Sequence, residues 1–256
     1  MKYLKFYSGK TLKWGVEENG IISVIRTAPW IGTEKTGETA RLTDVKLAAP
    51  VEPVSPPLGA KILCIGKNYY DHAVEFGEEA PETPIIFIKP NTVINDPNAA
   101  VAYPKITSRL DFEGELALII GKKAEKVSEE DALEHVFGYT CFNDITARDI
   151  QQADGQWTRG KGCDGCGPIG PWIVTGLDSA NLAIETRLNG KRVQSANTGL
   201  MMSDVRRIIA FVSASMTLMP GDIIATGTPA GVGPMLPGDV VEVEIENIGI
   251  LKNTIV

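Results

Sequence analysis

The sequence predicts an α+β protein in which β-structure dominates. Many short apolar or alternating segments are bounded by glycine, proline or asparagine, a pattern typical of strands joined by turns. Helical spacing appears in only a few short stretches, and strands do not alternate with helices as they do in a parallel βαβ sheet. At 256 residues, the chain is long enough to bury a full core in one domain or two.

The first part of the chain predicts a small β-rich unit. Residues 1–48 form short strand-like segments separated by the turns SGK and ENG. The stretch LAAPVEPVSPPLG then follows, and its four prolines predict an extended linker. We therefore divide the chain into a small N-terminal domain with its linker, residues 1–57, and a larger domain, residues 58–256.

The larger domain opens with strands around one helical turn. AKILCIG (60–66) and TPIIFIKP (83–90) are apolar and predict strands. Between them, KNYYDHAVEFG predicts a helical turn that stops at Gly77. LDFEGELALIIG (110–121) predicts a third strand.

Helices are predicted at three later positions. SEEDALEHVFG (128–138) has a serine cap, an acidic first turn and a terminal glycine, and NDITARDIQQ (143–152) predicts a second short helix. SDVRRIIAFVSASM (203–216) has the strongest helical spacing of apolar residues. GDIIATG and GDVVEVEIENIGIL then predict strands, each entered through a Pro-Gly-Asp turn.

Composition argues against several classes of protein. The formal net charge of −7, without a basic cluster, argues against a nucleic-acid partner. No apolar run approaches the roughly 20 residues that a membrane helix needs. The N-terminus lacks the apolar region of a signal peptide. We expect a cytoplasmic protein that binds neither nucleic acid nor membrane.

Cys163 and Cys166 form a CxxC motif, CDGC, which could indicate zinc or redox chemistry. A structural zinc site needs four ligands, but the chain has no second CxxC and only two histidines. A thioredoxin-like pair would begin a helix, whereas this pair lies in a glycine-rich stretch. We therefore predict reduced thiols in a turn.

Acidic residues alternate along the predicted strand at 110–121. Asp111, Glu113 and Glu115 occupy positions i, i+2 and i+4, which places them on one face of a strand. VVEVEIE (240–246) has the same alternation, and there a solvated acidic face is the simpler interpretation. Gly114 distinguishes the first segment, because a glycine inside a strand often marks close approach by backbone or ligand.

A further acid follows in CFNDITARDIQ. If this segment is helical, Asp144, Arg148 and Gln151 share one helical face. A group of carboxylates without histidine provides only oxygen ligands, which suits Mg²⁺ or Mn²⁺ better than zinc. A metal site and a solvated acidic face both remain open on this evidence.

His72 and Glu75 form a candidate general base. In a helical turn this i, i+3 spacing puts both side chains on one face, where the carboxylate can orient the imidazole. A polar pair on a surface turn is the alternative interpretation.

The order of these motifs resembles the fumarylacetoacetate hydrolase family over residues 60–256. The motifs are CIGKNYYDHAVEFG, PIIFIKP, DFEGELALIIG, GYTCFNDITARDIQ, RGKGCDGCGPIGPWIV, TRLNGKRVQSANT and LMPGDIIATGTPAGVG. The resemblance implies a mixed β-sandwich roll, usually assembled as a homodimer. The eukaryotic fumarylacetoacetate hydrolases have an additional aspartate ligand and a tyrosine upstream of the histidine, and here Ile65 and Lys67 stand in that segment. The chain is therefore similar to the shorter, prokaryote-type branch of acylpyruvate hydrolases, oxaloacetate decarboxylases and isomerases.

The resemblance also implies roles for ten residues. A divalent metal, Mg²⁺ or Mn²⁺, would be bound by Glu113, Glu115 and Asp144. The catalytic residues would be His72, Glu75 and Lys161, with the first two on a segment (about 67–82) that orders over substrate. The substrate would contact Arg148, Gln151, Thr228 and Lys89.

The implied function is a metal-dependent hydrolase or decarboxylase that cleaves a C–C bond of β-keto 2-oxo acids. Acetylpyruvate, fumarylpyruvate and oxaloacetate are such substrates. An alternative is an isomerase or decarboxylase for 2-hydroxyhepta-2,4-diene-1,7-dioate in aromatic catabolism. These reactions share a pyruvate enolate, so the sequence does not choose among them. A non-catalytic binding protein is a third interpretation, disfavoured because His72, Glu75 and Lys161 occur together with the three acids.

Overall fold

The computed structural model describes residues 1–52, 60–77 and 79–256, and strands dominate it. Much of the predicted linker, including the 57/58 boundary, lies outside these residues. The strands β1 to β20 are, in order, Lys2–Ser8, Thr11–Glu18, Ile21–Ile25, Lys35–Arg41, Lys46–Ala48, Ile62–Gly66, Ile85–Lys89, Ile94–Asn95, Ala100–Val101, Leu110–Phe112, Gly114–Ile120, Val136–Asn143, Thr146–Ala147, Gly167–Val174, Ala183–Leu188, Lys191–Asn197, Ile223–Ala225, Gly233–Met235, Val240–Ile245 and Gly249–Ile255. The helices α1 to α4 are Tyr70–Glu75, Arg148–Asp154, Thr158–Lys161 and Val205–Ser215. Short 3-10 helices occur at Leu42–Asp44, Asn91–Val93, Ala132–His135 and Thr198–Leu200.

The strands form three sheets. The largest has the order β4-β3-β2-β1-β14-β12-β11-β17-β6-β7, with β5 beside β1 and β8 beside β14. A second sheet is β13-β10-β18, and the third is β16-β15-β19-β20-β9. Most neighbours are antiparallel, while β6 with β17, β8 with β14 and β9 with β20 are parallel. The predicted β-dominated α+β class is confirmed.

The N-terminal strands join the largest sheet. Hairpin turns at Gly9 and at Asn19–Gly20 use positive φ angles, as the SGK and ENG turns predict. Lys2 and Tyr3 then pair with Val174 and Ile173 of β14. The division into two domains stays a prediction.

Strand β11 is buried on both faces. Leu116 and Leu118 belong to a core cluster that includes α4 and the third sheet. Ala117 and Ile119 belong to a second cluster, whose strand residues all come from the 12-stranded sheet. The sheet therefore curves around this second core, as in a β-roll.

The predicted single strand at 110–121 is two strands in two sheets. The chain leaves β10 at Phe112 and enters β11 at Gly114. Between them, the Glu113 N–H donates to Asn143 Oδ1 (3.0 Å) and the Glu113 carbonyl accepts from the Asp144 N–H (2.9 Å). This break corrects the prediction of one continuous acidic face, because Asp111 lies within β10 whereas Glu113 lies between the two strands.

The prediction of a helix over residues 128–138 is wrong, because only one short helical turn forms there. Ser128 Oγ accepts from the Asp131 N–H, and a 3-10 helix over Ala132–His135 follows. Gly138 pairs with Ile119 in the sheet, where a Cβ would lie 2.6 Å from the Val174 carbonyl oxygen. Because β12 takes up the chain from Val136 onward, the predicted helix could not reach Gly138.

The helix predicted at 143–152 begins later, at Arg148. Thr146 and Ala147 pair with β10, so Asp144 lies outside the helix and the predicted helical face is wrong.

The helix predicted at 203–216 is confirmed as α4, capped by Asp204 Oδ1 accepting from the Arg207 N–H. In the described part of the chain, the helices lack the length and apolar content that a membrane span requires.

Gly114 is required by packing between sheets. A Cβ there would lie 2.2 Å from Thr186 Oγ1 and 3.2 Å from Val243 Cγ1. We expect Gly114→Ala to lower the free energy of unfolding by about 1–3 kcal/mol, measured by denaturant titration, because β11 must move away from β15 and β19. Gly32→Ala is the matched control, because the nearest atom to its Cβ would be 3.6 Å away. Equal stability of the two variants would contradict this account.

Candidate active site

A cavity of about 280 Å³ lies where several segments meet. It is bounded by the β10–β11 break, the end of β6, helices α1 to α3 and the loop after β17. Eight of the ten residues assigned roles from the sequence line it, namely His72, Glu113, Glu115, Asp144, Arg148, Gln151, Lys161 and Thr228. Glu75 and Lys89 lie behind this lining, each bonded to a residue in it.

Three buried carboxylates converge at the cavity. Glu113, Glu115 and Asp144 each offer an oxygen within 4.8 Å of the others. Among the described residues this is the one such group of histidine, cysteine or acidic side chains. Asp111 is not part of it. The break after β10 and the pairing of β13 with β10 explain how residues distant in sequence meet here.

Lys161 links two of the three acids. Its Nζ donates to Glu113 Oε2 (2.6 Å) and Asp144 Oδ2 (2.7 Å). Burial opposes the charge on Lys161, but Asp144 and Glu113 outweigh burial and raise its pKa. The lysine is therefore held as an ammonium group at the acid cluster.

Arg148 connects the cluster to Asp111. Its guanidinium donates to Glu113 Oε1 (2.5 Å), Asp111 Oδ2 (2.9 Å) and Gln151 Oε1 (2.6 Å). Burial alone would raise the pKa of Glu113, but Lys161 and Arg148 hold it well below its usual range. Asp111 thus serves as a partner for arginine, which its alternation with Glu113 and Glu115 did not indicate.

Lys89 is almost fully buried behind Asp144. Its Nζ donates to Asp144 Oδ1 (2.5 Å) and to the carbonyl oxygens of Ile145 (3.3 Å) and Cys166 (3.1 Å). These three bonds use the donors of an ammonium group. Substrate binding by Lys89 stays a prediction, and this geometry favours a role in holding Asp144.

Glu115 forms no ion pair within the described part of the chain. Its Oε2 accepts from the Gly227 N–H at 2.8 Å. Burial, with Asp144 and Glu113 nearby, raises its pKa well above the usual value. A buried carboxylate in this position gains from a bound cation. The three oxygen donors therefore fit a hard divalent ion such as Mg²⁺ or Mn²⁺.

His72 and Glu75 lie on α1, as the spacing predicts. His72 Nδ1 is 3.3 Å from Glu75 Oε2, and His72 is 6% exposed. The Gly231 N–H, in the loop after β17, lies 3.1 Å from Glu75 Oε1 and 3.2 Å from Oε2. The buried imidazole is thus oriented by a carboxylate that is itself held, so the surface-pair interpretation describes the exposed Glu75 but not His72.

Thr228 forms another part of the cavity lining. Its Oγ1 donates to the Gly114 carbonyl (3.0 Å) and accepts from Gln194 Nε2 (2.8 Å). Gln194 Oε1 in turn accepts from the Gly114 N–H. Sequence reasoning missed Gln194, although its place after the Asn-Gly turn of a motif could have suggested it.

Sequence reasoning also missed an aromatic wall of the cavity. Phe76, Phe87 and Trp157 line the cavity, and the rings of Phe87 and Trp157 meet edge to face at 5.1 Å. Gly66 leaves room for this wall, since a Cβ there would lie 2.5 Å from the Trp157 ring. A tryptophan within the glycine-rich DGQWTRGKG was the available signal.

The CxxC cysteines are free thiols. Cys163 is partly buried and Cys166 is buried. The Cys166 N–H bonds to the Cys163 carbonyl, which forms a turn after α3. The predicted reduced thiols in a turn are confirmed.

Neutralising Glu115 tests the fit to a cation. We expect Glu115→Gln to weaken Mn²⁺ binding by more than about tenfold in calorimetry, because one charged oxygen ligand is lost. The fold should persist, since the amide can keep the bond to Gly227. Glu242→Gln is the control, because Glu242 lies on the half-exposed acidic strand β19. Unchanged Mn²⁺ affinity in Glu115→Gln would contradict the ligand assignment.

Comparison with known proteins extends the resemblance. Residues 61–256 match the family profile described as fumarylacetoacetate (FAA) hydrolase C-terminal, and residues 1–50 match that described as Rv2993c-like, N-terminal. The oxaloacetate tautomerase YisK of Bacillus subtilis is 44% identical over 227 residues, 84% of this chain and 74% of that protein. The solved 2-hydroxyhepta-2,4-diene-1,7-dioate isomerase of Mycobacterium marinum has a TM-score of 0.90 at 42% identity, covering 100% of this chain and 98% of its own. The 5-carboxymethyl-2-hydroxymuconate delta-isomerase of Mycobacterium smegmatis has a TM-score of 0.91 at 40% identity, covering 100% and 99%.

The likeness is extensive rather than local. The family profile spans the motifs that carry the cavity residues, and the structural match covers the whole chain. The resemblance stated from the sequence is therefore confirmed. This chain belongs to the fumarylacetoacetate hydrolase family and has its β-dominated fold.

Proposed function

We propose that this protein is a divalent-metal-dependent enzyme that enolises β-keto 2-oxo acids, with keto–enol tautomerisation of oxaloacetate as its reaction. One observation carries the proposal: three buried carboxylates and the Lys161 ammonium group meet in one cavity with His72. Two relatives named oxaloacetate tautomerase, from Bacillus subtilis and Xenopus laevis, support the choice of substrate.

The chain's own residues supply most of the chemistry. A 2-oxo acid carries its carboxylate and oxo group on adjacent carbons, so both must be bound by one end of the cavity. Arg148, Gln151 and Thr228 line the cavity, and we assign them to these substrate oxygens. Lys161, kept charged by its acidic neighbours, can stabilise an oxyanion or return a proton to an enolate.

A divalent ion held by Glu113, Glu115 and Asp144 would supply Lewis-acid polarisation of the substrate's oxygens. The acid cluster then has a second consequence. A cation there would offset both the burial and the repulsion from Asp144 and Glu113 that raise the pKa of Glu115. We further propose that the protein depends on Mg²⁺ or Mn²⁺, assembles as a homodimer and is located in the cytoplasm.

C–C bond hydrolysis or decarboxylation is the second candidate. Hydrolysis needs an activated water, and the contact of the buried His72 with Glu75 favours it. Tautomerisation and decarboxylation need no attacking water. Isomerisation of 2-hydroxyhepta-2,4-diene-1,7-dioate also passes through proton transfer, and the Mycobacterium marinum isomerase supports that alternative.

Substrate turnover with and without metal tests the proposal directly. We expect oxaloacetate enol, followed by its ultraviolet absorbance, to ketonise faster with enzyme plus Mg²⁺ or Mn²⁺ than with enzyme plus EDTA. Adding metal back should restore the rate. Acetylpyruvate and fumarylpyruvate, assayed for pyruvate release, test hydrolysis in parallel. Full activity after complete chelation would contradict the metal-dependent mechanism, and no turnover of any of these substrates would contradict the enzyme class.

The surroundings of His72 predict a distinct pH dependence for hydrolysis. Burial lowers the pKa of His72, although Glu113 and Glu75 partly offset this effect. The neutral base therefore persists below its ordinary pKa of about 6.5, and kcat/KM should fall only at more acidic pH. His72→Gln should lower hydrolysis about 10²–10⁴-fold, and tautomerisation much less.

The chain provides its own control for this experiment. His135, the other histidine, bonds to the Lys122 carbonyl away from the cavity, so His135→Gln should keep the wild-type profile. If the wild-type acid limb persisted in His72→Gln, His72 would not be the titrating base.

A further inference from the structure

The CxxC motif places a partly exposed thiol beside a buried one, close to the active site. Cys163 is partly buried, Cys166 is fully buried, and both are free thiols. Cys163 follows helix α3 instead of beginning a helix, so the arrangement differs from that of thioredoxin. What the two thiols can do is therefore decided by the turn that joins them.

This turn brings the two cysteines within reach of a disulfide bond. The Cys166 N–H donates to the Cys163 carbonyl oxygen at 3.1 Å. Residues i and i+3 of a β-turn have Cα atoms less than about 7 Å apart, and disulfide bonds span Cα separations of about 4.4–6.8 Å. Gly165, at φ +72°, supplies the left-handed residue of the turn, and its carbonyl oxygen accepts from Asn95 Nδ2 at 3.2 Å. The backbone between the thiols is therefore already folded in a way that suits a disulfide bond.

The two thiols differ in the way that thiol–disulfide exchange requires. Hydrogen bonding from the Cys166 thiol lowers the pKa of Cys163 to about 7, although partial burial opposes this effect. Hydrogen bonding with Cys163, together with burial, raises the pKa of Cys166 well above its usual value. A partly exposed thiolate is the attacking group in exchange, and a neighbouring thiol then resolves the mixed disulfide. This asymmetry assigns the first attack to Cys163 and the second to Cys166.

We propose that Cys163 and Cys166 form a redox-modification site, at which a low-molecular-weight disulfide, RSSR, converts the two thiols into an intramolecular disulfide bond. The Cys163 thiolate attacks one sulfur of RSSR, which forms a mixed disulfide and releases one RS⁻. Cys166 then loses its proton and attacks the Cys163 sulfur, which forms the new bond and releases the second RS⁻. The two RS⁻ take up the two protons, and RSSR gains the two electrons that the protein thiols lose.

Two contacts join this turn to the acid cluster. The Cys166 carbonyl oxygen accepts from Lys89 Nζ at 3.1 Å, and the same Nζ donates to Asp144. Cys163 Sγ donates to the Arg159 carbonyl oxygen at 3.7 Å, in helix α3, whose last residue bonds to two of the acids. A disulfide sulfur has no proton to donate, so oxidation removes the second contact, and closing the bond tightens the turn that carries the first. We therefore expect oxidation to weaken the positioning of the acids.

Glutathione, in its oxidised and reduced forms, tests the site in the intact protein. After treatment with oxidised glutathione, the wild-type protein should lose two hydrogen atoms by mass spectrometry, and peptide mapping should find Cys163 joined to Cys166. Reduced glutathione should reverse the change. Cys64 and Cys141 are both buried and serve as internal controls that stay reduced. Free thiols at both CxxC positions, or a glutathione adduct that persists on Cys163, would overturn the proposal.

Single substitutions separate the roles of the two thiols. Cys166→Ser should accumulate a mixed glutathione disulfide on Cys163, because the resolving thiol is missing. Cys163→Ser should gain no adduct, because Cys166 is buried. An adduct on Cys166 in Cys163→Ser would overturn the assignment of Cys163 as the attacking thiol.

Calorimetry with Mn²⁺ measures the link to the acid cluster, and this part of the test rests on the proposed function. Once glutathione is removed, the oxidised wild-type protein should bind Mn²⁺ at least about tenfold more weakly than the reduced protein. Cys163→Ser, treated in the same way, should keep one affinity throughout. Equal Kd values for the oxidised and reduced wild type would overturn the link. If the reduced protein bound no Mn²⁺, the proposed metal dependence would fail, and the mass spectra would still decide the disulfide site.

Discussion

The burial of several carboxylates in one cavity is the constraint on which the site depends. Unpaired buried charge is costly, so such acids must be matched by cations or protons. Lys161 and Arg148 match Glu113, and Lys89 and Lys161 match Asp144. Glu115, bonded to a backbone N–H, is the acid left for a further cation. The same arrangement that is costly to fold is therefore the basis of the proposed divalent-ion site.

The fold offsets this cost by bringing together segments that are distant in the sequence. The break between β10 and β11 directs Glu113 into the cavity, and β13 brings the chain from Asp144 to α2. The loop after β17 holds both Glu115, through Gly227, and Glu75, through Gly231. Acid cluster and histidine are therefore fixed by one loop, so changes in that loop would affect both.

Sequence reasoning identified the acids, His72 and Lys161 because family motifs separate them from ordinary patterns. Spacing alone could not, since Glu242 and Glu244 on β19 alternate in the same way and pair with Arg187 near the surface. The helix α4 was predictable from its apolar spacing and cap. The break at Glu113 and the late start of α2 were not, because both depend on bonds to distant residues. The aromatic wall likewise depends on which segments meet in three dimensions.

Anomalous X-ray diffraction from crystals grown with Mn²⁺ tests the central claim most directly. The claim is that the buried acid cluster is a cation site. It predicts a manganese peak within bonding distance of carboxylate oxygens from Glu113, Glu115 and Asp144, with the Lys161 ammonium group displaced from the line between its two acids. A Mn²⁺-saturated crystal without a peak there, or with Glu115 turned away from the ion, would contradict the claim.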